Sequence, residues 1–238
     1  MLRPLLLALA MLAAPAATTA GTLRVASYDA GLTRDGPGLL VHELETGPGP
    51  QALAAAAIVR AAGADLLLIV GFDYDRAGRA LDAFRALLRE GPDGIDYPHA
   101  FAAPVNAGVP SGRDLDGDGR RMAADDALGW GRFPGHGGMA ILSTLPLDAA
   151  AARSFRTLRW ADLPGATLPA RPDGSPFPDP ETAPTLALSS RAHWDVPALL
   201  PGGGRLHLLA SHPTPPLFDG PEGFNRLRSR DEVRFWSL

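Results

Sequence analysis

ADLLLIVGFDYD, residues 64–75, decides the fold. Its apolar run at 65–70 has strand length and no internal alternation, which suits a strand buried on both faces. On its N-terminal side, PQALAAAAIVRAA (Pro50–Ala62) is rich in Ala, lacks internal Gly, and stops at Gly63, a helix with a glycine terminus. Earlier still, residues 23–28 alternate apolar and polar and end at Asp29-Ala30-Gly31, which predicts a short strand running into a loop. On the other side, Ala77, Leu81, Phe84, Leu87 and Leu88 recur at helical spacing through 76–90, and Gly91-Pro92 stops the pattern. Strand, helix, strand, helix in this order predicts a layered α/β domain. Further strands are expected at 139–143, 186–191 and 205–211, and a last helix over 222–236. Residues 162–184, dense in Pro, Gly and Asp, predict a long surface excursion.

The sequence has 238 residues, 46% of them hydrophobic and 20% charged, enough apolar surface for one core and too little charge for disorder. A net charge of -4 excludes a broad basic field, and with it stable coating of nucleic acid. All 22 basic residues are Arg, which reads as coding bias and lowers the weight of any single Arg. Residues 1–20 combine Arg3, an apolar run over 5–14 and the small residues Thr18, Thr19 and Ala20. That is the pattern of a cleavable secretory signal, with cleavage expected after Ala20 and one domain over 21–238. The apolar run is shorter than the roughly 20 residues a bilayer needs, so no membrane attachment is expected after cleavage. The destination is the periplasm or the extracellular medium, and with no Cys the exported domain must hold together without disulfides. The last helical pattern runs to Leu238 without a stop signal, which suggests truncation and an exposed sheet edge prone to aggregation.

Several positions could carry chemistry. In LHLLASHPTPP, residues 206–216, an apolar strand delivers Ser211 and His212 to its end, and the proline-rich loop beyond prevents its continuation. A strand-end His could neutralise charge on a phosphoryl oxygen, or simply bond a backbone carbonyl. SRAHWDVP, residues 190–197, repeats the arrangement with His193 and Asp195, where the carboxylate could fix an imidazole tautomer or pair it structurally; Trp194 reads as a core anchor. DLDGDG, residues 114–119, places Asp114, Asp116 and Asp118 at alternate positions before glycines, and Asp125 falls where a calcium loop wants its last ligand. A calcium loop and a solvated polar turn are both open, because the terminal ligand is short and residues 104–112 do not form an entering helix. The Gly-rich turn at 133–138 allows close backbone approach, and His136 could line a pocket there.

Taken in order, LRVASYDAGL (23–32), ADLLLIVGFDYD (64–75), DLDGDG with FPGHGGMAILS (133–143), SRAHWDVP (190–197) and LASHPTPPLFDGPEGFNRLRSRDEVRFW (209–236) resemble successive blocks of an exported branch of the endonuclease/exonuclease/phosphatase superfamily. The resemblance implies a four-layer α/β sandwich of two central sheets flanked by helices, lacking its C-terminal strands. It also implies hydrolysis of a phosphate ester of unknown type with Mg2+ or Mn2+, and leaves Ca2+ as a separate expectation for the 114–125 loop. In its terms His212 matches the catalytic His, His193 and Asp195 are further catalytic candidates, and Asp29 and Asp73 are cation contacts. His136, Asn225 and Arg228 are the expected substrate-facing side chains.

The departures are equally specific. Where the resemblance calls for an Asn at the first strand end, this chain has Asp29, and where it calls for the metal-binding Glu, it has Gly71. Arg228-Ser229-Arg230 stands where Asn and His are expected, and no Gly-Asp-x-Asn or Ser-Asp-His block occurs in the sequence. Two functions follow: an exported hydrolase whose metal site is degraded, slow or inactive, and a noncatalytic exported calcium- or ligand-binding protein on the same scaffold.

Overall fold

A computed structural model of the chain describes residues 22–238. The expected signal segment, 1–20, lies outside the described residues. The first sheet contains β1 (Val25–Leu32), β2 (Leu66–Phe72), β3 (His99–Phe101) and β4 (Gly138–Ser143), in the order β1-β2-β4-β3. β1 and β2 are parallel; β4 runs antiparallel to both β2 and β3. The second sheet is antiparallel, β5-β6-β7, from β5 (Arg153–Ser154), β6 (His193–Leu199) and β7 (Arg205–Ser211).

Alternation along the strands builds the layers. In β2, Leu67 and Ile69 face the helices α1 (Leu39–Thr46), α2 (Pro50–Ala62) and α3 (Arg79–Arg89), while Val70 faces the other way. That other side is the seam between the sheets, where Val70, Met139 and Ile141 meet Trp194, Val196 and Ala210. The outer face of the second sheet is covered by α4 (Phe224–Arg234) and the short 3-10 turn after it, giving helices, sheet, sheet, helix. The α/β sandwich expected from the sequence is the fold observed.

The local signals behave as physics requires. α2 starts with Pro50 at its first turn and ends at Gly63 in the left-handed region, whose amide bonds the carbonyls of Val59 and Arg60. α3 buries Leu81, Phe84, Leu87 and Leu88, each worth about 1.5–3 kcal/mol on burial. α1 was not legible, because eight residues between Gly38 and Gly47 give too short a periodic window.

Three expectations need correction. β1 does not end at Asp29 but continues through an irregularity to Leu32. Residues 186–191 are not a strand: Leu186 and Leu188 pack with Trp160 and Leu163, and the Ser189 and Ser190 backbones are taken by Asn106 and Glu232. The ladder begins only at His193 and runs through Pro197. Residues 162–184 hold no α-helix or β-strand, only parts of the 3-10 turns Trp160–Asp162 and Ala183–Thr185, yet they are anchored, since Leu163, Thr182 and Ala183 are buried and the Thr167 amide bonds Asp231.

Candidate functional site

β1 and β7 both end at the same side of the sandwich. Ala26, Tyr28, Ala30 and Leu32 join the helix-side core, so the intervening Asp29 faces the seam between the sheets and is exposed at its rim. On β7, Ala210 points into the seam and Ser211 points out, where its hydroxyl accepts a hydrogen bond from Trp236 Nε1. His212 therefore falls on the seam side, toward Asp29. Burial, followed by the charge of Arg191, lowers its pKa to about 4, with the Asp29 carboxylate acting in the opposite direction. With that shift the ring is neutral at pH 7. Its Nδ1 is buried without a hydrogen-bond partner.

Arg191, just before β6, completes this group. Burial lowers its pKa, against the charges of Glu232 and Asp29. Its Nε reaches the Gly137 carbonyl at 3.5 Å, the one side-chain hydrogen bond it makes among the described residues. Sequence reasoning missed Arg191, although it stood inside SRAHWDVP, because abundant Arg had been discounted as composition.

Glu232 of α4 fixes both segments. It is fully buried and accepts hydrogen bonds from Ser190 N (2.6 Å), Ser190 Oγ (2.7 Å) and Thr214 N (2.7 Å), the residues that flank Arg191 and follow His212. Burial raises its pKa despite the Arg228 charge and these donors.

His136 sits in the neighbouring Gly-rich turn, edge-on to Trp130 and Phe133, with Nδ1 buried and unpartnered. Burial lowers its pKa, and the charges of Asp73 and Arg191 act on it in opposite directions. The turn is no phosphate cradle, because its amides at Gly135, His136 and Gly137 already bond Ala107 O, Phe133 O and Asp73 Oδ1. Asp73 is buried between two loops, accepting from Gly137 N (2.8 Å) and Arg34 N (2.7 Å), and burial raises its pKa. It braces the site, with both oxygens engaged by amides.

The remaining candidates lie elsewhere. His193 and Asp195 are on the outer face of β6, the face opposite Trp194 and Val196, and do not join His212. His193 bonds Ser189 Oγ (2.7 Å) and the Glu232 carbonyl (2.9 Å) under Phe235 and Trp236, and burial lowers its pKa to about 4. Asp195 pairs with Arg153 and with His207 Nδ1 at 2.7 Å. The catalytic expectation for both is corrected by strand parity: an odd-numbered residue in β6 faces away from the seam. Arg228 is buried and donates to the carbonyls of Leu128, Ala187 and Leu188, so it ties loops together rather than facing substrate. Asn225 holds the loop after His212 through the Leu217 carbonyl at 2.9 Å.

In the acidic loop, Asp114, Asp116 and Asp118 bring ligand oxygens within 4.8 Å of one another. Asp125 is exposed and outside this cluster. Its neighbour Asp126 is the inward carboxylate, accepting from Leu115 N (2.9 Å) and Ala123 N (3.0 Å). A shallow cleft of about 420 Å³ beside α3, lined by Tyr74, Asp75, Arg85 and His99 among others, contains none of the residues around His212.

The cation implied by the resemblance finds little here. Gly71 offers no ligand atom, its φ is +61°, and a Cβ built on it would overlap Asp29 Oδ1 and lie 3.3 Å from Gly31 N. Glu232 and Asp73 have their oxygens engaged, so Asp29 is the one accessible carboxylate of the group, and the residues present do not fit a resident divalent cation.

Comparison with known proteins follows the same lines. The family model described as the Endonuclease/Exonuclease/phosphatase family matches residues 44–234. No curated protein matches the sequence. Among solved structures, the endonuclease/exonuclease/phosphatase from Beutenbergia cavernae DSM 12333 aligns at a TM-score of 0.45 and 15% identity. The alignment covers 90% of this chain and 42% of that one, so the chain spans less than half of that relative's length. With a match that runs from α1 to the end of α4 and takes in both Arg191 and His212, the chain belongs to the endonuclease/exonuclease/phosphatase family, a family of phosphoesterase and nuclease-like hydrolases.

Proposed function

We propose that this chain is an exported phosphoesterase-type protein that binds a phosphate ester between Arg191, His212 and Asp29 and hydrolyses it slowly. The observation that carries this reading is that the Glu232 carboxylate holds together Ser190, next to Arg191, and Thr214, two residues past His212, with the charges of Arg191 and Asp29 both acting on the His212 ring. Arg191 would neutralise phosphoryl oxygens. His212, neutral at pH 7, would donate one N–H to the same group rather than act as a cationic acid. Asp29 is the remaining base able to orient or deprotonate a water. Gly71 in place of a carboxylate is the reason to expect a low rate, and no step here passes through a metal ion. Export rests on the leader pattern of residues 1–20.

The test is hydrolysis of bis(4-nitrophenyl) phosphate in parallel with EDTA, Mg2+ and Mn2+. Slow turnover is expected from the parent, and His212→Ala should lower it at least about tenfold with an unchanged circular dichroism spectrum. Equal rates in parent and variant would remove His212 from the site.

A second reading concerns the acidic loop, favoured by its three convergent carboxylates. Calcium bound there would brace the 114–126 segment without taking part in chemistry. Millimolar Ca2+ should then raise the melting midpoint in a concentration-dependent way, and Asp116→Ala should abolish the rise. A midpoint that ignores Ca2+ would show the loop to be a polar turn.

A further inference from the structure

We infer that Arg191 supplies the fixed positive charge of this cleft, so that the site binds a phosphate group directly and without a divalent cation. The inference deepens the phosphoester reading above and rests on it.

Other arginines drawn out of water have partners nearby; Arg234, whose Nε and Nη2 make no hydrogen bond, still lies 3.4 Å from the Asp231 carboxylate. Arg228 spends its donors on three carbonyls, and Arg34 forms a salt bridge with Glu43. Arg191 differs: it is partly buried, its guanidinium makes a single long hydrogen bond to Gly137 O, and it forms no salt bridge among the described residues. Glu232 contributes charge nearby, but its oxygens are held by Ser190 and Thr214. A guanidinium sequestered without a carboxylate partner is costly unless an anion completes it.

Two imidazole rings feel this charge and each has a ring nitrogen with nothing to bond. Nδ1 of His212 and Nδ1 of His136 are both buried and unpartnered, and the charge of Arg191 acts on both rings. Gly137 brings the His136 turn against the guanidinium, since a Cβ built on it would lie 3.7 Å from Arg191 Nη2. A planar, permanently charged fork and two neutral imidazoles, each able to carry its proton on Nδ1, make a donor-rich set. The matching ligand has several acceptor oxygens and a negative charge, which describes a phosphate group. The same guanidinium repels a divalent cation, and Gly71 removes the carboxylate that would have offset that repulsion.

Isothermal titration with inorganic phosphate and with phenyl phosphate, in EDTA and again in excess Mg2+, tests this on the parent, Arg191→Gln and Arg191→Lys. The parent should bind in EDTA, with an affinity that Mg2+ changes less than about twofold. Arg191→Gln should weaken binding at least about tenfold, and Arg191→Lys should restore part of it, because a fixed charge returns without the planar fork. A readout on the parent alone guards against a misfolded variant: phosphate in EDTA should retard phenylglyoxal labelling of Arg191, followed by peptide mass spectrometry. Phosphate binding that requires Mg2+, or labelling of Arg191 that phosphate does not slow, overturns the inference and removes Arg191 from the phosphoester site, while hydrolysis that depends on His212 keeps the rest of that reading standing. Absence of binding under both conditions overturns the two together.

Discussion

Glu232→Ala is expected to destabilise the protein by about 3–5 kcal/mol, the cost of removing one member of a buried charged network. Three donors, Ser190 N, Ser190 Oγ and Thr214 N, lose their acceptor in a region closed to water, and the charges of Arg228 and Arg191 lose a counterion. Each orphaned donor alone costs about 1–3 kcal/mol. For a chain of this length the loss amounts to roughly 10 °C in the melting midpoint. Glu232→Gln should be milder, since its carbonyl oxygen still accepts while the charge is gone. The effect reaches the site because Ser190 precedes Arg191 and Thr214 lies two residues beyond His212: Glu232 is the clamp that sets both. Thermal and urea denaturation measure the loss, and a Glu232→Ala midpoint within about 2 °C of the parent would mean that α4 does not hold these segments.

Gly71→Glu, which restores the acid that the family resemblance calls for, is expected to lower stability and leave hydrolysis no faster. Position 71 has a left-handed backbone, which costs a non-glycine residue about 1–2 kcal/mol. The new Cβ would also displace the Asp29 carboxylate that now occupies its space. The two positions are therefore coupled: Asp29→Ala clears the overlap, so the double variant should be more stable than the sum of the single effects by about 1 kcal/mol. A double-mutant cycle by urea denaturation, with turnover measured on all four proteins, checks both statements. A stable Gly71→Glu protein with increased turnover would show that the site still accepts its missing ligand.

The site also shows how a reading of residues one at a time goes astray. Apart from the family resemblance, which favours His212, His212 and His193 look alike in the sequence, each beside a strand and near a Ser. In the folded chain the antiparallel register pairs His193 with Ser211, placing both on the outer face, while His212, one residue on, turns to the seam. Asp125 and Asp126 differ in the same way, one exposed and the other buried against loop amides. Arg191 was invisible for another reason: what marks it is partial burial with one long side-chain hydrogen bond and no salt bridge among the described residues, and burial and partnership are properties of the fold.

What the sequence determined unaided is the part written in short-range terms. The unbroken apolar run of β2, the Ala-rich α2 with its Pro start and Gly stop, the amphipathic α3 and the limits of β7 all follow from side-chain period and backbone freedom within a few residues. They suffice to predict an α/β sandwich. Tertiary structure alone decided which face of each strand meets the seam, that β6 begins at His193 rather than earlier, and that Glu232 joins Arg191 to His212. Those outcomes depend on strand register and on burial among residues far apart in the chain, and a shift of one residue in register inverts every side chain while leaving the local pattern unchanged.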